Sequence, residues 1–343
     1  MQTAARVAAA IEVLDDIFAG SAPEKALTGW ARGHRFAGSK DRAAIRDHVF
    51  QALRCRASYG WLGGSDTGRG VMLGAMRDAG QVDVIFTGDG HAPRAVEADE
   101  VGQELSQAER WVQRDMPEWL LPHFDAALGR DADTVLDELR NRAGVFLRVN
   151  AARGDARGAI ALLAEDGIVA GEVPDIRNAL QVVENERRVA LSQAYLTGAV
   201  ELQDTSSQIF IEALGITPGL RVLDYCAGGG GKALTLAALG AEVTAHDIDP
   251  RRMIDIGPRA DRAGVHIETV TTDALVDLAP FDLVVVDAPC SGSGTWRRTP
   301  AAKWDLTADR LRELTQIQGD VVRQAASFVR PGGHMAYATC SVF

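Results

Sequence analysis

Apolar positions recur every three to four residues up to about residue 86, and this spacing predicts that the first part of the chain is helical. The first apolar series stops at Gly20, and its members are Ala5, Ala8, Ala9, Val13 and Ile17. A second helix is predicted to follow, with Ser21 and Glu24 as a capping box, and a third is predicted to begin at Ser39. We expect the third helix to bury the face that carries Ile45, Val49 and Leu53.

The middle of the chain changes its pattern twice. Residues 87–102 are rich in Gly, Asp, Pro and Glu and predict a linker, after which helical spacing resumes near Gln107. The next pattern predicts a small α+β unit, with a helix at 156–165 and strands at 145–149, 179–183 and 188–191. Thr205 or Ser206 is predicted to cap the helix that follows this unit.

The last part of the chain alternates apolar runs with helical segments, which predicts an α/β fold with a doubly wound parallel sheet. The predicted strands lie at 221–225, 242–246, 266–270, 284–287 and 335–339. One crossover helix between 307 and 329 joins the last two strands, and strands joined in this way tend to be neighbours. Cys290 and Cys340 each follow one of these strands, so we expect both thiols to open onto one crevice.

Composition restricts the class of protein. The 343 residues carry a formal net charge of −11, which argues against a surface that is basic throughout but leaves room for a local basic patch. Such a patch occurs between Arg32 and Arg56, where either a solvated helix face or a phosphate-binding face is possible. Cys55 lies at the end of the same helix and is predicted to be either a core residue or a residue without a role in the reaction.

The chain is predicted to be cytoplasmic. Its N-terminal segment carries Glu12, Asp15 and Asp16, which argues against a signal peptide or a membrane span. The four cysteines show no CxxC spacing, which favours a reducing compartment. The seven histidines show no metal-ligand spacing, so we expect no metal.

A glycine-rich turn predicts a nucleoside cofactor. Gly228–Gly231 follow a strand and open a helix, and Asp247 ends the next strand, where its carboxylate would accept hydrogen bonds from ribose hydroxyls. This pattern alone fits a nicotinamide cofactor and S-adenosylmethionine about equally. A P-loop is excluded, because Cys226 stands in place of its first glycine and Ala233 in place of its Ser or Thr.

The two strand-end cysteines favour methyl transfer over hydride transfer. A single cysteine is more often a packing residue, but these two lie beside Asp287 and a glycine-rich loop. Carbon-5 of cytosine becomes nucleophilic only after a thiolate adds to carbon-6, so this reaction requires an activated cysteine. Asp287 is placed to neutralise the charge that builds at ring nitrogen 3, and a base must then remove the carbon-5 proton.

The chain resembles the RsmB/Sun-like family of RNA cytosine-5 methyltransferases, across residues 100–343 and more loosely before that. The motifs that carry the resemblance are DAPCSGSGTWRRTPAAKW at 287–304, YATCSVF at 337–343, DYCAGGGGK at 224–232, AHDIDPRR at 245–252 and QDTSSQ at 203–208. The resemblance implies that Cys340 is the nucleophile and that Cys290 assists release of the methylated product. The opposite assignment stays open, because DNA cytosine-5 enzymes use a Pro-Cys nucleophile.

The resemblance also implies a set of residues around S-adenosyl-L-methionine. Asp247 and Arg252 would lie by the ribose, Asp273 by the adenine, Lys232 in the turn, and Asp287 at the target base. The full predicted cofactor-binding set is Cys226, Ala227, Gly228, Gly230, Lys232, Asp247, Arg252, Asp273 and Asp287. The turn departs from the family's Ala-Pro-Gly-Gly-Lys-Thr, since it reads Gly228-Gly229-Gly230-Gly231-Lys232-Ala233.

Three domains are predicted with the help of this resemblance. They are a helical RNA-binding-like domain at 1–95, a helical linker with a split RNA-recognition-like α+β subdomain at 101–205, and a Rossmann-like class I methyltransferase domain at 206–343. The family continues beyond its Thr-Cys-Ser motif, whereas this sequence ends at Phe343, so we expect the sheet to expose an edge strand. We expect a monomer with no membrane partner.

RNA is the expected partner, with ribosomal RNA as the first candidate and transfer RNA as the alternative. The loop at 292–304 offers Trp296 and Trp304 either for base stacking or for packing, and it offers phosphate contacts from Arg297, Arg298 and Lys303. Two other functions remain open, namely an RNA-binding assembly factor without turnover and, more remotely, a nicotinamide oxidoreductase.

Overall fold

The computed structural model describes residues 1–278 and 280–343, and it confirms the predicted fold class. Its residue contacts divide the chain into two units. The first comprises Met1–Ala143, Ser291–Ala308 and Cys340–Phe343, and the second comprises Gly144–Cys290 and Asp309–Thr339. The predicted three-domain boundaries stay a prediction. Among the described residues, no helix has both the length and the apolar character needed to cross a bilayer.

The first unit is helical among its described residues. Its α-helices are Thr3–Phe18, Pro23–Gly33, Ser39–Arg54, Arg56–Gly63, Gly68–Asp78, Val82–Ile85, Arg110–Gln113, Leu121–Leu128, Ala132–Leu139 and Ala301–Asp305. The predicted face of the third helix is buried, and Cys55 is buried beside it. The capping box at Ser21 is wrong, because the Ser21 hydroxyl donates to Asp16 Oδ1 at 2.9 Å and leaves the next helix without a side-chain cap.

Several side chains of the basic patch between Arg32 and Arg56 make contacts within the first unit. Arg46 donates to Glu24 Oε2 at 2.6 Å, and the guanidinium of Arg56 lies 4.4 Å from the centre of the Phe18 ring. Arg54 is buried and donates to the backbone carbonyl of Arg297 at 2.8 Å. These contacts favour a structural role for this part of the cluster, and phosphate binding by its exposed members stays a prediction.

The segment 291–308 packs within the first unit through its predicted RNA-binding residues. Trp296 is 1% exposed and lies among the rings of Phe124 and Phe343, at centroid distances of 6.3 and 6.1 Å. Lys303 is 1% exposed, and its Nζ donates to the carbonyl of Arg54 at 2.7 Å. For Trp296 the packing alternative therefore holds, and the phosphate contact predicted for Lys303 is wrong, because both side chains are buried in the core.

Two other side chains of the segment are also held by backbone carbonyls. Trp304 Nε1 donates to the carbonyl of Leu53 at 2.8 Å. Arg297 Nε and Nη2 donate to the carbonyls of Asn141 and Arg142 at 3.2 and 2.9 Å. This contact favours the packing alternative for Trp304, which is half-buried, and Arg297 is hydrogen-bonded within the unit.

The second unit begins with a four-stranded antiparallel sheet in the order β2-β3-β1-β4. Its strands are β1 at Val145–Val149, β2 at Val169–Glu172, β3 at Ala179–Glu184 and β4 at Val200–Leu202, and its helices are Ala156–Glu165 and Gln193–Leu196. The predicted strand at 188–191 is wrong, because Glu186–Leu191 forms a 3₁₀ helix. The cap prediction is also wrong, since Asp204 accepts from Ser206 N and caps the next helix.

A five-stranded parallel sheet in the order β7-β6-β5-β8-β9 completes the second unit. Its strands are β5 at Arg221–Asp224, β6 at Glu242–His246, β7 at Ile267–Val270, β8 at Phe281–Asp287 and β9 at Val329–Ala338. The accompanying helices are Thr205–Ala213, Gly231–Ala238, Ile256–Ala263, Thr272–Leu278 and Ala308–Ala326. β9 lies at one edge, as expected, with Tyr337 43% exposed.

Gln203 fixes the small sheet to the glycine-rich turn within this unit. Its Nε2 donates to the carbonyl of Gly231 at 3.0 Å and to Thr235 Oγ1 at 2.9 Å, and its Oε1 accepts from Arg148 Nε at 2.8 Å. These three partner residues are buried or half-buried. Gln203 thereby links the first turn of the helix Gly231–Ala238 to Arg148 of β1.

Candidate active site

The turn after β5 is shaped by two glycines with left-handed backbone angles. Gly228 has φ +51° and Gly230 has φ +79°. The N–H of Gly230 donates to the carbonyl of Ala227 at 2.9 Å, and the N–H of Ala227 donates to the carbonyl of His246 at 2.9 Å. The turn therefore exposes its backbone at the carboxyl ends of β5 and β6, where a doubly wound fold binds its ligand.

Asp247 supports this turn from the end of β6. The carboxylate is 2% exposed, and Oδ2 accepts from the N–H of Gly228 at 3.0 Å while Oδ1 accepts from the N–H of Asp249 at 3.0 Å. Arg252 Nη1 lies 2.9 Å from Oδ2. Asp247 therefore orders the turn as well as standing where the ribose-binding acid was predicted.

Lys232 and Asp287 form an ion pair at the ends of neighbouring strands. Lys232 Nζ donates to Asp287 Oδ2 at 2.6 Å, and Asp287 is the last residue of β8. Because β5 pairs with β8, the turn after β5 and the end of β8 meet at one edge of the sheet. The pair places one cation and one carboxylate at the predicted position of the reaction.

These residues surround a cleft of about 370 Å³, which we call the turn cleft. It is lined by Gln203, Asp204, Ser207, Asp224, Cys226, Ala227, Gly228, Gly229, Gly231, Lys232, Arg252, Arg259 and Asp287. Of the predicted cofactor-binding residues, Gly230 and Asp247 shape the turn without lining the cleft. Asp273 is exposed in the first turn of the helix Thr272–Leu278 and is not part of the lining.

The charged lining includes two residues that the sequence analysis missed. Arg259 donates to the carbonyl of Gly229 and contributes a cation beside the turn. Asp224 is the last residue of β5 and is 1% exposed. Its position, directly before the glycine-rich turn in the motif at 224–232, was the signal available in the sequence. No group of three or more acidic, His or Cys side chains in the described residues is arranged to hold a metal ion.

Two of the four cysteines are poor candidates for a thiolate. Burial raises the pKa of the Cys55 thiol to about 11, and burial together with Asp224 raises the pKa of the Cys226 thiol to about 12. Both side chains therefore stay protonated at neutral pH. Cys290 is half-buried in the second unit and Cys340 is exposed in the first, so neither thiol of the predicted pair is buried.

Hydrogen bonds within each unit order the backbone around these cysteines. In the second unit, the N–H of Ala288 donates to the carbonyl of Ala338 at 3.0 Å, next to the last register pair of β8 and β9. In the first unit, the N–H of Gly294 donates to the carbonyl of Cys340 at 2.8 Å. There, the N–H of Val342 also donates to Ser293 Oγ at 2.8 Å. Convergence of the two thiols stays a prediction.

Gly230→Ala is expected to lower the free energy of unfolding by about 1–3 kcal/mol, because it adds a Cβ to a left-handed residue in a crowded place. That Cβ would meet Ile256 Cγ1 at 2.7 Å. Gly231→Ala is the matched control, since a Cβ there meets nothing within 4 Å. Denaturant unfolding of both variants measures the difference, and equal stabilities would contradict the assigned role of Gly230.

Comparison with known families gives two matches. Residues 211–343 match the family described as 16S rRNA methyltransferase RsmB/F. Residues 116–189 match the ferredoxin-like domain of RsmF/B-like methyltransferases. The first match contains the glycine-rich turn and both strand-end cysteines, and the second overlaps the antiparallel sheet.

The chain is similar to curated proteins named ribosomal RNA small subunit methyltransferase B. It is 31% identical to the protein of Xanthomonas campestris pv. campestris, over 88% of this chain and 77% of that protein. It is also 31% identical to the protein of Cronobacter sakazakii, over 71% of this chain and 58% of that protein. The chain thus spans between about three fifths and three quarters of the length of these two relatives.

Solved structures share the fold. The structure titled PH0851 aligns over all of this chain and 87% of its own, with a TM-score of 0.73 and 21% identity. NSun6 from Pyrococcus horikoshii with SFG aligns over 66% of this chain and 83% of its own, with a TM-score of 0.59 and 17% identity. At these identities, the likeness is one of architecture.

Proposed function

The chain belongs to the RsmB/F family of 16S rRNA methyltransferases, and from this premise we propose that it methylates carbon-5 of a cytosine in RNA with S-adenosyl-L-methionine as methyl donor. Ribosomal RNA is the proposed substrate, in keeping with the names of the relatives. The observation that carries the proposal is the combination of the turn cleft with Cys290 and Cys340 at the ends of paired strands.

The turn cleft fits the cofactor. Left-handed Gly228 and Gly230 keep the turn open, and an added Cβ at Gly228 would lie 3.1 Å from Arg252 Nη2. We propose that the predicted set holds the cofactor, with the turn residues around it, Asp247 and Arg252 toward the ribose and Asp273 toward the adenine. When bound, S-adenosylmethionine supplies an electrophilic methyl carbon.

The strand register supports action of both thiols on one base. Asp287 of β8 is paired with Ala338 of β9, and Cys290 and Cys340 lie three and two residues further along the chain. Both thiols are therefore tethered by very short segments to neighbouring strand ends. We propose that the two thiols, each a few residues beyond its strand end, meet at the target cytosine.

Each residue then has a defined task in a balanced reaction. The Cys340 thiolate forms a bond to carbon-6 of the cytosine, and the ring electron pair moves to carbon-5. Carbon-5 takes the methyl group of the donor, so that the bond between the methyl carbon and the sulfonium sulfur breaks and S-adenosylhomocysteine leaves. Asp287, held through Oδ2 by Lys232, would act as the acid that shares a proton with ring nitrogen 3, where negative charge builds as the thiolate adds. After a base removes the carbon-5 proton, the double bond re-forms and the bond to Cys340 breaks, and Cys290 assists this release.

A methyl-transfer assay on RNA tests the proposal. The protein is expected to transfer labelled methyl groups to small-subunit ribosomal RNA, and bisulfite sequencing of RNA from a strain that lacks it should reveal one cytosine that loses protection. Transfer to transfer RNA instead would replace the proposed substrate. Binding of S-adenosylhomocysteine without transfer to any RNA would favour the assembly-factor alternative.

Ser293 is predicted to position the backbone that carries Cys340. Its hydroxyl is buried and accepts the N–H of Val342 at 2.8 Å, so Ser293→Ala leaves that donor unsatisfied. We expect the single-turnover rate constant of methyl transfer to fall about tenfold, since an unsatisfied buried hydrogen-bond donor costs about 1–3 kcal/mol. Affinity for S-adenosylhomocysteine should not change.

Single-turnover methylation and calorimetry measure these two quantities separately. Ser327→Ala is the matched control, because Ser327 is exposed and its hydroxyl donates only to the nearby carbonyl of Gln324. A parallel loss of turnover and cofactor affinity would show that Ser293 acts on global folding instead.

A further inference from the structure

The glycine-rich turn is held by side chains from other segments of the second unit. Such side chains form hydrogen bonds with the N–H of Gly228 and with the carbonyl of Gly231, at the two ends of the turn. Between these points, the carbonyl of Gly229 accepts from Arg259 Nη1, which is its one donor among the described residues. The backbone at Gly229 therefore depends on Arg259 for its order.

Four consecutive glycines make this turn costly to order. Glycine loses more backbone freedom on folding than any other residue, and no side chain between Gly228 and Gly231 restricts the turn from within. A ligand that binds to a disordered turn loses affinity, because part of its binding free energy is spent on ordering the backbone. Contacts from outside the turn therefore determine how well it can bind a ligand.

Arg259 is itself anchored on the small antiparallel sheet. It lies in the helix Ile256–Ala263, and its side chain is 21% exposed. Its Nη2 lies 3.5 Å from Oε1 of Glu201, a buried residue of β4. One nitrogen of the guanidinium thus contacts the turn and the other contacts the sheet, and the planar group is oriented by both contacts.

Arg262 shares this anchor but makes no hydrogen bond to the turn among the described residues. Its Nη2 donates to Glu201 Oε2 at 2.7 Å, and its guanidinium lies 4.1 Å from the centre of the Tyr195 ring. Arg259 lines the turn cleft, whereas Arg262 is not part of the lining. The two arginines therefore pair with the same carboxylate, but only Arg259 also binds the turn.

We propose that Arg259 is a positioning residue, which orders the backbone at Gly229 so that the turn can bind S-adenosylmethionine. This inference rests on the proposed function, which supplies the cofactor. Because Glu201 anchors Arg259, the small sheet and the cofactor turn are coupled through one guanidinium. A protein without this guanidinium has to order the turn each time the ligand binds.

Calorimetry on Arg259→Met and Arg262→Met tests this role. Methionine keeps an apolar stem but removes the N–H donors of the guanidinium. We expect Arg259→Met to weaken binding of S-adenosylhomocysteine about tenfold, since ordering the backbone of one residue has a cost of this size. Arg262→Met is the matched control, because it removes the shorter of the two ion pairs with Glu201 and should leave the affinity unchanged.

Hydrogen exchange of the ligand-free protein gives a second measurement, which does not depend on the cofactor. Amides of residues 229–232 should exchange about tenfold faster in Arg259→Met, because the turn opens more often without its brace. Their exchange in Arg262→Met should match that of the unchanged protein. Equal changes in the two variants would overturn the proposal and make both arginines supports of the small sheet.

Gly229→Ala separates ordering of the turn from a direct contact between Arg259 and the ligand. The φ of Gly229 lies outside the left-handed region, and an added Cβ would meet Arg259 Nη1 at 3.3 Å. Alanine is therefore crowded beside Arg259, and no gain in affinity is expected there. In Arg259→Met the alanine has room and restricts the turn, so affinity should recover about two- to fivefold. A loss that alanine does not recover would indicate a direct ligand contact and overturn the positioning role.

The outcomes distinguish this inference from the proposed function. Loss of affinity in Arg259→Met alone, combined with no methyl transfer to RNA by the unchanged protein, would uphold the positioning role and reject the enzyme activity. Failure of the unchanged protein to bind S-adenosylhomocysteine would overturn both. Methyl transfer to RNA, with full affinity for S-adenosylhomocysteine in Arg259→Met, would reject the positioning role alone.

Discussion

Cys340→Ala should reduce methyl transfer to RNA by about three orders of magnitude or more, because in the proposed assignment Cys340 supplies the sulfur that bonds to carbon-6. Cys340 is exposed, so the substitution removes a thiol without opening a cavity in the core. Binding of S-adenosylhomocysteine and the unfolding temperature are expected to stay as they are. Methylation under single-turnover conditions, with calorimetry on the same sample, measures both effects.

Cys226 provides the comparison for this result. Its thiol lines the turn cleft, but its pKa is raised to about 12, so Cys226→Ala should not remove a nucleophile. We expect this variant to change cofactor affinity more than the chemical step. Full turnover in Cys340→Ala, or a complete chemical block in Cys226→Ala, would reject the assigned nucleophile.

Cys290→Ala should produce the opposite phenotype, a covalent complex between protein and RNA. If Cys290 assists the release step, the bond between Cys340 and carbon-6 forms but resolves slowly, and turnover stops after about one cycle. The complex is expected to survive denaturing electrophoresis and to carry the methyl label. The double variant with Cys340→Ala should form no such band, because the bonding sulfur is gone.

The same pair of variants decides between the two assignments of the cysteines. A stable complex in Cys340→Ala and none in Cys290→Ala would mean that Cys290 is the nucleophile, as in DNA cytosine-5 enzymes. Absence of a complex in either variant, with activity intact in the unchanged protein, would argue against a covalent route.

The elements that could be predicted from the sequence are those with a strong local pattern of apolar residues. The strand at Val145–Val149 and the helix at Ala156–Glu165 were predicted with their observed bounds, since their periodicity is clear and their ends are marked by polar residues. β8 was recognised from its apolar run, which follows from burial of a central parallel strand on both faces.

Short and weakly patterned elements could not be predicted. Residues 188–191 suggested a strand, but Asn185 takes a left-handed φ of +63° and opens a 3₁₀ helix instead. β2 was missed because it is only four residues long, contains Gly171 and has no buried residue. β4 was missed as well, since three residues carry too little periodicity.

The candidate site shows the same division between local and long-range information. Asp247, Lys232 and Asp287 were recognised because each ends a strand or belongs to a recognisable turn. Burial of Trp296 depends on Phe124, which is distant in sequence, so stacking and packing looked alike from the sequence. The burial of the Asp224 carboxyl group could not be predicted for a related reason, because its desolvation arises only in the folded sheet.

The hydrogen bonds that hold the segment 291–308 determine which substitutions the first unit tolerates. Arg54, Lys303 and Trp304 all donate to peptide carbonyls, and Arg297 does the same. A carbonyl is present whatever side chain its residue bears, so mutations at the acceptor positions leave these bonds available. Side chains at the acceptor positions can therefore be substituted without removing the acceptors that hold the segment 291–308.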